Sequence, residues 1–464
     1  MEKIKNKSCS SLCIVIIILL SATVTGAISI KNDFKSMNND LEDPLPSKTW
    51  TVMIYFAGDH HRGKEIPYIQ DILSDIGSTD EVNFVCLSDG KDDGDTLYCY
   101  IEKDLILPLD WYEYESNMAD PDTFEKFLEL TTYTYPAEKY ALFTLSAWGS
   151  GWQGVFSDTH GTGSGKTLDL ITMPEIGQVL KEITNDGSDK LDFYGIDVCV
   201  PGMVEVASEI APYVDYMVAN QEHGFGGPDG LSDDGQPLEW NYTNFLQQLV
   251  DNPSMTPEEF ATSLVDSYNP GTYTEKIFGT IKPPKWYPII KFHTDLSATD
   301  LGEIGIVESA IDTLGTVLKD NLNECKKEIK EARSKTREYG KLYRKFWFFP
   351  AKLHYALYFD PLGYDCFIDV YDFADKLSIE TTNQDVKNAC EQVKNAINTT
   401  VIANEAVEYD STHGLSIYFP QLRYLYDKSI WRGMNKNFWK ISSYTELRFS
   451  DNTNWDEFLK SYLF

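Results

Sequence analysis

The stretch LDFYGIDVCVPGMVEVASEIAPYVDYMVANQE, residues 191–222, decides the fold of this chain. It contains two short runs rich in β-branched and aromatic residues, 191–197 and 214–220, separated by a helix-like segment, 203–213. Runs that are apolar throughout are typical of strands buried on both faces, and a helical crossover joins parallel strands. The stretch therefore predicts a strand–helix–strand unit of an α/β protein.

Similar strand-like runs occur at 50–58, 82–89 and 140–146, and the segment 121–133 between the last two has helical character. This alternation predicts a mostly parallel sheet covered by helices on both faces, formed by a core over residues 49–254. From about Met255 the pattern changes, with helix-like stretches at 312–341 and 383–401. Residues 255–464 are expected to form either a C-terminal α/β subdomain or an extension of the sheet.

Composition and charge narrow the class of partner. The 464 residues are 42% hydrophobic and 13% aromatic, which is enough for a large buried core. The formal net charge of −32 opposes binding to nucleic acid and to anionic lipid, and it favours basic peptides and divalent cations. We expect a monomer.

The N-terminus has the pattern of a secretory signal. Lysines precede an apolar run from about Leu12 to Val24, and small residues follow it. Residues 1–27 are therefore predicted to be a signal peptide and 28–48 a flexible leader. The protein is expected to be secreted, or tethered to the membrane by an uncleaved N-terminal segment, without other contact with the membrane.

The cysteines suggest neither a zinc site nor a disulfide framework. Two of the eight lie in the signal segment, and the remaining six are scattered without the CxxC spacing of zinc ligands. Cys86 and Cys99 are predicted to be the one candidate disulfide, because they lie on neighbouring predicted strands. Most of the others are expected to be small buried hydrophobes.

Functional groups are expected in the loops at the carboxyl ends of the parallel strands. These loops are 58–61, 147–152, 197–202 and 220–227. The acidic loop DGKDDGDT, 89–96, has some features of a calcium-binding loop but lacks the final glutamate of an EF-hand, so it predicts a hairpin turn. A metal site built on Asp59, His60 and His61, with His223 or Asp229 as a further ligand, is an alternative use of the first loop, but no established ligand spacing supports it.

Three blocks in this order resemble the clostripain family of cysteine peptidases: YALFTLSAWGSGWQGV, LITMPEIGQVL and the opening stretch, with a further match at HGLSIYFP. The resemblance runs from Trp50 to about Val218 and returns near 360–420. It implies a caspase-like α/β sandwich with a catalytic His-Gly after one strand and a catalytic cysteine after the next. It also implies cleavage after Arg or Lys and a link to Ca²⁺, although no metal ligands can be named.

The resemblance assigns two residues directly. Cys199 matches the nucleophile, and Asp197 matches the acidic residue at the floor of the pocket for a basic side chain. A carboxylate suits that task because it can pair with a guanidinium in bidentate fashion. The alternatives are that Asp197 caps a turn and that Cys199 is a buried apolar residue.

The catalytic histidine does not carry over. The family reads D-H-G-S-G-W where this chain reads A-W-G-S-G-W, 147–152, so Trp148 occupies the histidine position beside Gly149, around which the oxyanion donors are expected. An indole can neither accept nor release a proton in this chemistry. A positioned acid–base group contributes roughly 10²–10⁴ in rate, so cleavage is expected to be impaired.

Two hypotheses follow. The chain is either an impaired cysteine endopeptidase directed at Arg/Lys segments, or a pseudo-peptidase that binds basic peptides without cutting them. Four histidines are candidates for a replacement base: His60, His61, His160 and His223. If the protein is active, Lys166 in the Gly/Ser-rich segment TGSGKTLD is the expected site of self-cleavage.

Overall fold

A computed structural model of the chain describes residues 46–146, 149, 151–159, 169–222, 240–268, 295–339, 366–406, 411–427 and 443–464. A nine-stranded sheet spans these residues. Its strands, from one edge to the other, are β12 (Val401–Ala406), β10 (Asp295–Asp300), β9 (Val214–Ala219), β8 (Leu191–Asp197), β5 (Ala137–Leu145), β1 (Lys48–Ala57), β2 (Val82–Asp89), β3 (Leu97–Glu102) and β4 (Leu105–Pro108). Two small sheets pair β6 (Phe156–Asp158) with β7 (Asp169–Ile171) and β11 (Phe367–Asp369) with β13 (Ser416–Tyr418).

Helices cover both faces of the sheet. In chain order they are α1 (Ile66–Ile76), α2 (Pro121–Thr134), α3 (Met173–Ile183), α4 (Val204–Ile210), α5 (Tyr242–Asp251), α6 (Pro257–Asp266), α7 (Ile304–Asp320), α8 (Leu322–Lys335), α9 (Val370–Glu380), α10 (Gln384–Thr400), α11 (Arg448–Asn452) and α12 (Trp455–Leu463). Several begin at strong caps. At α6, Thr256 and Glu259 form a capping box with Pro257 in the first turn.

The five central strands β9, β8, β5, β1 and β2 are mutually parallel. Alternate residues of β1 enter two separate cores: Met53 and Tyr55 pack on the side of α2, α3 and α4, and Val52 and Ile54 on the side of α1, α5 and α6. Because both faces are covered, the strand is apolar along nearly its whole length rather than alternating. The predicted α/β class with helices on both faces is confirmed.

The bounds predicted for the strands of the core agree closely with the bounds in the structure. Strands β2 and β8 have the predicted bounds, and β1 and β5 begin two and three residues earlier than predicted. In the C-terminal half, β10 and β12 extend the same sheet in antiparallel pairing beside β9. The helix-like stretch predicted at 312–341 is two helices, α7 and α8, separated at Asn321, whose backbone leaves the helical region.

Cys86 and Cys99 lie directly opposite each other on β2 and β3. The structure holds both as buried free thiols, so the predicted disulfide is wrong. Both side chains belong to the same apolar core, where a thiol packs as a small hydrophobe without a covalent link.

No helix in the described ranges combines the length and the apolar composition needed to cross a membrane. The predicted signal peptide and all but the last three residues of the predicted leader lie outside those ranges.

Candidate active site

The carboxyl ends of β5 and β8 lie side by side, and the loops that follow them meet. Leu145 is opposite Asp197 in the parallel register, and the Ser146 N–H donates to the Asp197 carbonyl at 3.2 Å. Beyond these ends, a methyl group on Gly149 would overlap the backbone carbonyl of Cys199, so only glycine fits. Gly149 therefore packs directly against the backbone of the predicted nucleophile.

The turn after Cys199 is unusual. Val200 has a φ of +57°, a region that β-branched residues rarely occupy. Strained backbone of this kind persists only where surrounding contacts enforce it, and it is common at functional sites. The Val200 N–H donates to the Glu222 carbonyl at 3.3 Å, which anchors the turn to the loop after β9.

Cys199 is partly exposed, whereas the other five described cysteines are buried. A reactive thiol has to be reached by its substrate, so accessibility distinguishes Cys199 from the structural cysteines of the core. The alternative that Cys199 is a buried apolar residue does not fit this exposure.

Asp197 is buried and already paired within the chain. Arg62 Nη1 lies 3.1 Å from Asp197 Oδ1 and Nη2 lies 3.2 Å from Oδ2, a bidentate geometry, and the Tyr242 hydroxyl donates to Oδ2 at 3.0 Å. Arg62 Nη1 also donates to the carbonyls of Ser146 and Asp197, at 2.9 and 3.0 Å. One guanidinium thus joins the loop after β1 to the ends of β5 and β8.

Electrostatics favour this pairing. Burial alone would lower the pKa of Arg62, but the carboxylates of Asp197 and Glu65 raise it well above its ordinary value. Glu65 accepts from Arg62 Nε at 2.8 Å, and burial nevertheless raises the pKa of Glu65. Burial and the nearby Asp197 raise the pKa of Tyr242. Arg62 is therefore a fixed cation in an enclosed acidic setting.

His60 lies at the same edge of the sheet. Its Nδ1 accepts from the Arg62 N–H at 3.1 Å, which leaves the ring proton on Nε2, 3.1 Å from Ser146 Oγ. Both ring nitrogens are thus engaged by protein groups. The alternative metal site on Asp59, His60 and His61 would need one of those nitrogens, and Asp59 itself accepts from the Thr159 N–H at 2.7 Å.

Four predicted functional residues fall outside the described part of the chain: Trp148, His160, Lys166 and His223. The backbone of His61 begins a short 3₁₀ turn, His61–Glu65, and its side chain is also outside the description. Of the sequence-predicted site residues, the structure brings Cys199, Asp197, Gly149 and His60 to one edge of the sheet.

A second polar network supports the neighbouring loop after β9. His413 Nδ1 lies 3.0 Å from Asp369 Oδ1, and the ring stacks on Tyr371 with centroids 4.1 Å apart. Gln221 Nε2 donates to Asp369 Oδ2 at 3.1 Å, and Gln221 Oε1 accepts from Gly414 at 2.9 Å. The late HGLSIYFP stretch is thereby tied to the strand ends of the site.

Burial alone would lower the pKa of His413, but the hydrogen bond and the charge of Asp369 raise it above its ordinary value. The same loop is braced by an ion pair between Arg337 and Glu222, 3.1 Å apart and buried. Because the Glu222 carbonyl accepts from Val200, this bracing reaches the turn after Cys199.

Sequence reasoning did not single out Arg62, Tyr242 or His413. Arg62 had a detectable signal, since it lies in the loop that follows β1, and β1 neighbours β5 in the sheet. Tyr242 lies 45 residues beyond Asp197 in the chain, at the first position of α5, so no local pattern predicts their contact.

Comparisons with known proteins bear on the family and the fold of the chain. The model of the clostripain family matches residues 56–462. Clostripain from Hathewaya histolytica is 23% identical over 431 residues, which cover 80% of this chain and 74% of that protein.

Two solved structures show the same fold. An inactive zymogen C11 protease from Parabacteroides distasonis has a TM-score of 0.56 at 16% identity, covering 88% of this chain and 99% of that one. A secreted C11 cysteine protease from Bacteroides thetaiotaomicron, in complex with an irreversible peptide inhibitor, has a TM-score of 0.53 at 15% identity, covering 81% and 93%.

Proposed function

Because the chain belongs to the clostripain family of cysteine peptidases, we propose that it is a secreted family member directed at Arg- or Lys-containing segments, with cleavage impaired by Trp148. The observation that supports the peptidase role most directly is the packing of Gly149 against the backbone of Cys199 at adjoining strand ends. That arrangement puts a partly exposed thiol beside the loop expected to supply the oxyanion donors.

In the proposed reaction, the Cys199 sulfur attacks the carbonyl of the scissile bond and the amine leaves. The leaving amine has to receive a proton, and the family's histidine would supply it. Trp148 has no such proton to give. Among the candidate replacement bases, His60 is the one whose side chain the structure describes. Its Nδ1 accepts from the Arg62 N–H and its Nε2 faces Ser146, so the ring would have to reorient before it could transfer a proton.

Asp197 supports the proposed preference for basic residues, but an arginine of the chain itself already occupies its carboxylate. Its carboxylate holds a guanidinium in bidentate geometry, and that guanidinium is the chain's own Arg62. A substrate arginine would have to displace Arg62 or share the carboxylate with it. We therefore propose that recognition of basic side chains is weaker than a vacant carboxylate pocket would allow.

Export is proposed on two grounds. The N-terminal 27 residues have the order of a secretory signal, and the matched Bacteroides thetaiotaomicron protease is described as secreted. In an active form, we propose that the chain cleaves itself after Lys166.

The second candidate is a pseudo-peptidase that binds basic peptides without cutting them. Two observations favour it: the indole at position 148, and the occupation of Asp197 by Arg62. The two candidates share a surface and differ only in whether a peptide bond is broken.

Cleavage of an Arg-ended reporter peptide by wild type, Trp148→His and Cys199→Ala separates the candidates. We expect weak or no cleavage by wild type, an increase of two or more orders of magnitude in Trp148→His, and none in Cys199→Ala. A Trp148→Phe variant is the matched control, since it changes the ring without adding a proton carrier.

If wild type cleaves efficiently and Trp148→His changes the rate little, the proposed impairment is wrong. The base is then identified by loss of cleavage in one of the variants His60→Ala, His61→Ala, His160→Ala and His223→Ala. If no variant cleaves but wild type binds the reporter, the binding module is the better description.

A further inference from the structure

The carboxylate of Asp197, the expected floor of a pocket for basic side chains, is already bound at both oxygens. Arg62 Nη1 lies 3.1 Å from Oδ1 and Nη2 lies 3.2 Å from Oδ2, and the Tyr242 hydroxyl donates to Oδ2 at 3.0 Å. The guanidinium of a substrate arginine needs the same two oxygens for a bidentate contact. It therefore competes directly with Arg62.

Arg62 is held by more than the Asp197 carboxylate. Its Nε donates to Glu65 Oε2 at 2.8 Å, and its Nη1 donates to the backbone carbonyls of Ser146 and Asp197 at 2.9 and 3.0 Å. All three nitrogens of the guanidinium are thus engaged by protein groups. Moving Arg62 away would leave two buried carboxylates without their cation, which costs far more than breaking an exposed ion pair.

The backbone that carries Arg62 forms a tight turn. The Arg62 N–H donates to His60 Nδ1 at 3.1 Å, and the Gly58 N–H donates to the Asp89 carbonyl at 2.8 Å. Gly63 packs so closely on the Gly58 carbonyl that a methyl group on Gly63 would overlap it. This turn fixes the point from which the Arg62 side chain reaches Asp197.

The ion pair lies just below the protein surface. The side chain of Arg62 is 13% exposed, whereas that of Asp197 is 5% exposed. The more accessible member of the pair is therefore Arg62, whose positive charge repels a substrate arginine or lysine.

From these contacts we propose that Arg62 is a specificity-determining residue, an internal ligand that fills the place of a basic substrate side chain on Asp197. It closes the pocket to arginine and lysine side chains of a substrate, and its removal uncovers a binding site for one guanidinium group. The inference rests on the proposed function, because it takes Asp197 as the residue for basic side chains. It adds the residue that sets the affinity of the pocket and a ligand that binds without cleavage.

The acceptors that surround the Arg62 guanidinium do not depend on Arg62 for their place in the chain. They are the carboxylates of Asp197 and Glu65, on β8 and just before α1, and the backbone carbonyls of Ser146 and Asp197. They are arranged around a planar cation, so a free guanidinium compound can take the same position once the side chain is gone. A urea group has the same shape without the charge and is expected to bind poorly.

The experiment measures the melting temperature of the full chain against millimolar concentrations of N-ethylguanidinium, with N-ethylurea as the neutral ligand of matched shape. Neither compound contains a peptide bond. We expect a saturable rise in the melting temperature of Arg62→Ala with N-ethylguanidinium, at a half-saturating concentration at least tenfold lower than in wild type. N-ethylurea should give no such rise in either protein.

Arg62→Ala/Asp197→Asn is the matched control, because it keeps the same space but removes the carboxylate. It should lose the saturable response to N-ethylguanidinium. A merely structural role for Arg62 would not produce this dependence on the charge of the ligand and on Asp197.

Arg62→Lys is the second variant, and it covers an Arg62→Ala chain that fails to fold. Its ammonium keeps the positive charge but cannot make the bidentate contact, so one carboxylate oxygen becomes less firmly held. We expect Arg62→Lys to bind N-ethylguanidinium more tightly than wild type does.

The inference is overturned if wild type binds N-ethylguanidinium as tightly as the variants do, because Arg62 then does not close the pocket. It is also overturned if neither variant binds the compound, or if Arg62→Ala responds equally to N-ethylurea. No readout here involves cleavage. A failure of every variant to cleave the reporter peptide would therefore remove the proposed peptidase and leave this inference standing.

Discussion

Asp197 and Asp89 occupy equivalent places in the sheet. Each is the last residue of a central parallel strand, each is buried, and each begins a loop at the same edge. At Asp197 both carboxylate oxygens are bound by Arg62, and Tyr242 adds a third hydrogen bond. At Asp89 the neighbours are two more carboxylates, and one oxygen has no donor in the described residues.

The difference shows two ways in which the fold accommodates a buried carboxyl group. Arg62 comes from the chain itself, so the folded protein supplies its own cation to Asp197. At Asp89, burial and the negative charges of Asp158, Glu115 and Asp95 raise the pKa to about 9, so this carboxyl holds a proton near neutral pH. A buried charge removed from its partner costs far more than an exposed one, so the two sites should respond differently to substitution.

Glu205 extends the comparison to a third buried carboxyl group. It is fully buried on α4, accepts through Oε1 from the Tyr418 N–H and the Tyr444 hydroxyl, and has no donor to Oε2 among the described residues. Burial raises the pKa of Glu205 to about 7. With neither a basic partner nor a carboxylate cluster, this group relies on a proton.

The largest expected effect comes from removing the resident cation. Arg62→Met leaves Asp197 buried and unpaired, so we expect the free energy of unfolding to fall by about 3–5 kcal/mol. Denaturant unfolding measures it. The stability of Arg62→Lys should lie between those of wild type and Arg62→Met, because a lysine ammonium keeps the positive charge but cannot form the bidentate contact.

The double variant Arg62→Met/Asp197→Asn is the control for this first prediction. With the Asp197 charge also removed, part of the loss should be recovered, although Glu65 stays buried without its partner Arg62. An Arg62→Met chain as stable as wild type would mean that the pair is weakly coupled, and the contrast with Asp89 would disappear.

The second largest expected effect is a pH dependence of the free energy of unfolding, caused by Glu205. Its folded pKa of about 7 lies above the ordinary value of 4.5, so the folded chain holds a proton that the unfolded chain has released. The contribution of Glu205 to stability is therefore fully present below pH 4.5 and is lost as the pH rises toward 7. Glu205→Gln lacks this loss, so its stability relative to wild type should rise by about 2–4 kcal/mol between pH 4.5 and pH 8.

Melting temperatures across that pH range, measured in parallel for Glu113→Gln, test this. The exposed control should track wild type at every pH. A constant difference between Glu205→Gln and wild type would show that Glu205 does not hold a proton in the folded chain.

The smallest effect concerns the third hydrogen bond on Asp197. Tyr242→Phe keeps the ring packed against Phe143 and Phe245 but removes the donor to Oδ2. We expect a loss of about 1–2 kcal/mol in the free energy of unfolding. Tyr98→Phe, whose hydroxyl contacts the neutral Thr131 at 3.3 Å, should lose less. Equal losses in the two variants would argue that the charge on Asp197 is already fully satisfied by Arg62.

Much of the core could be predicted from the sequence because its strands are apolar on both faces. The bounds of β2 and β8 follow from that pattern alone, and the blocks around Cys199 and Gly149 indicated the family that the comparisons confirm. The Cys86–Cys99 disulfide was predicted wrongly because the sequence pattern shows only which residues are neighbours. Adjacency on neighbouring strands was visible in the pattern, but the oxidation state of two thiols in a dry core was not.

What the sequence determined by itself was local: which segments become strands and helices, the overall negative charge, and the expectation that Trp148 stands at the histidine position of the site motif. What only the tertiary structure decided were the pairings across the chain. Arg62 meets Asp197 over 135 residues, and Glu115 meets the loop after Asp89 from a separate segment. The physical reason is that apolar periodicity is a property of residues close together in the chain. The partner of a buried charge, in contrast, depends on which distant residues the folded sheet brings within hydrogen-bond distance.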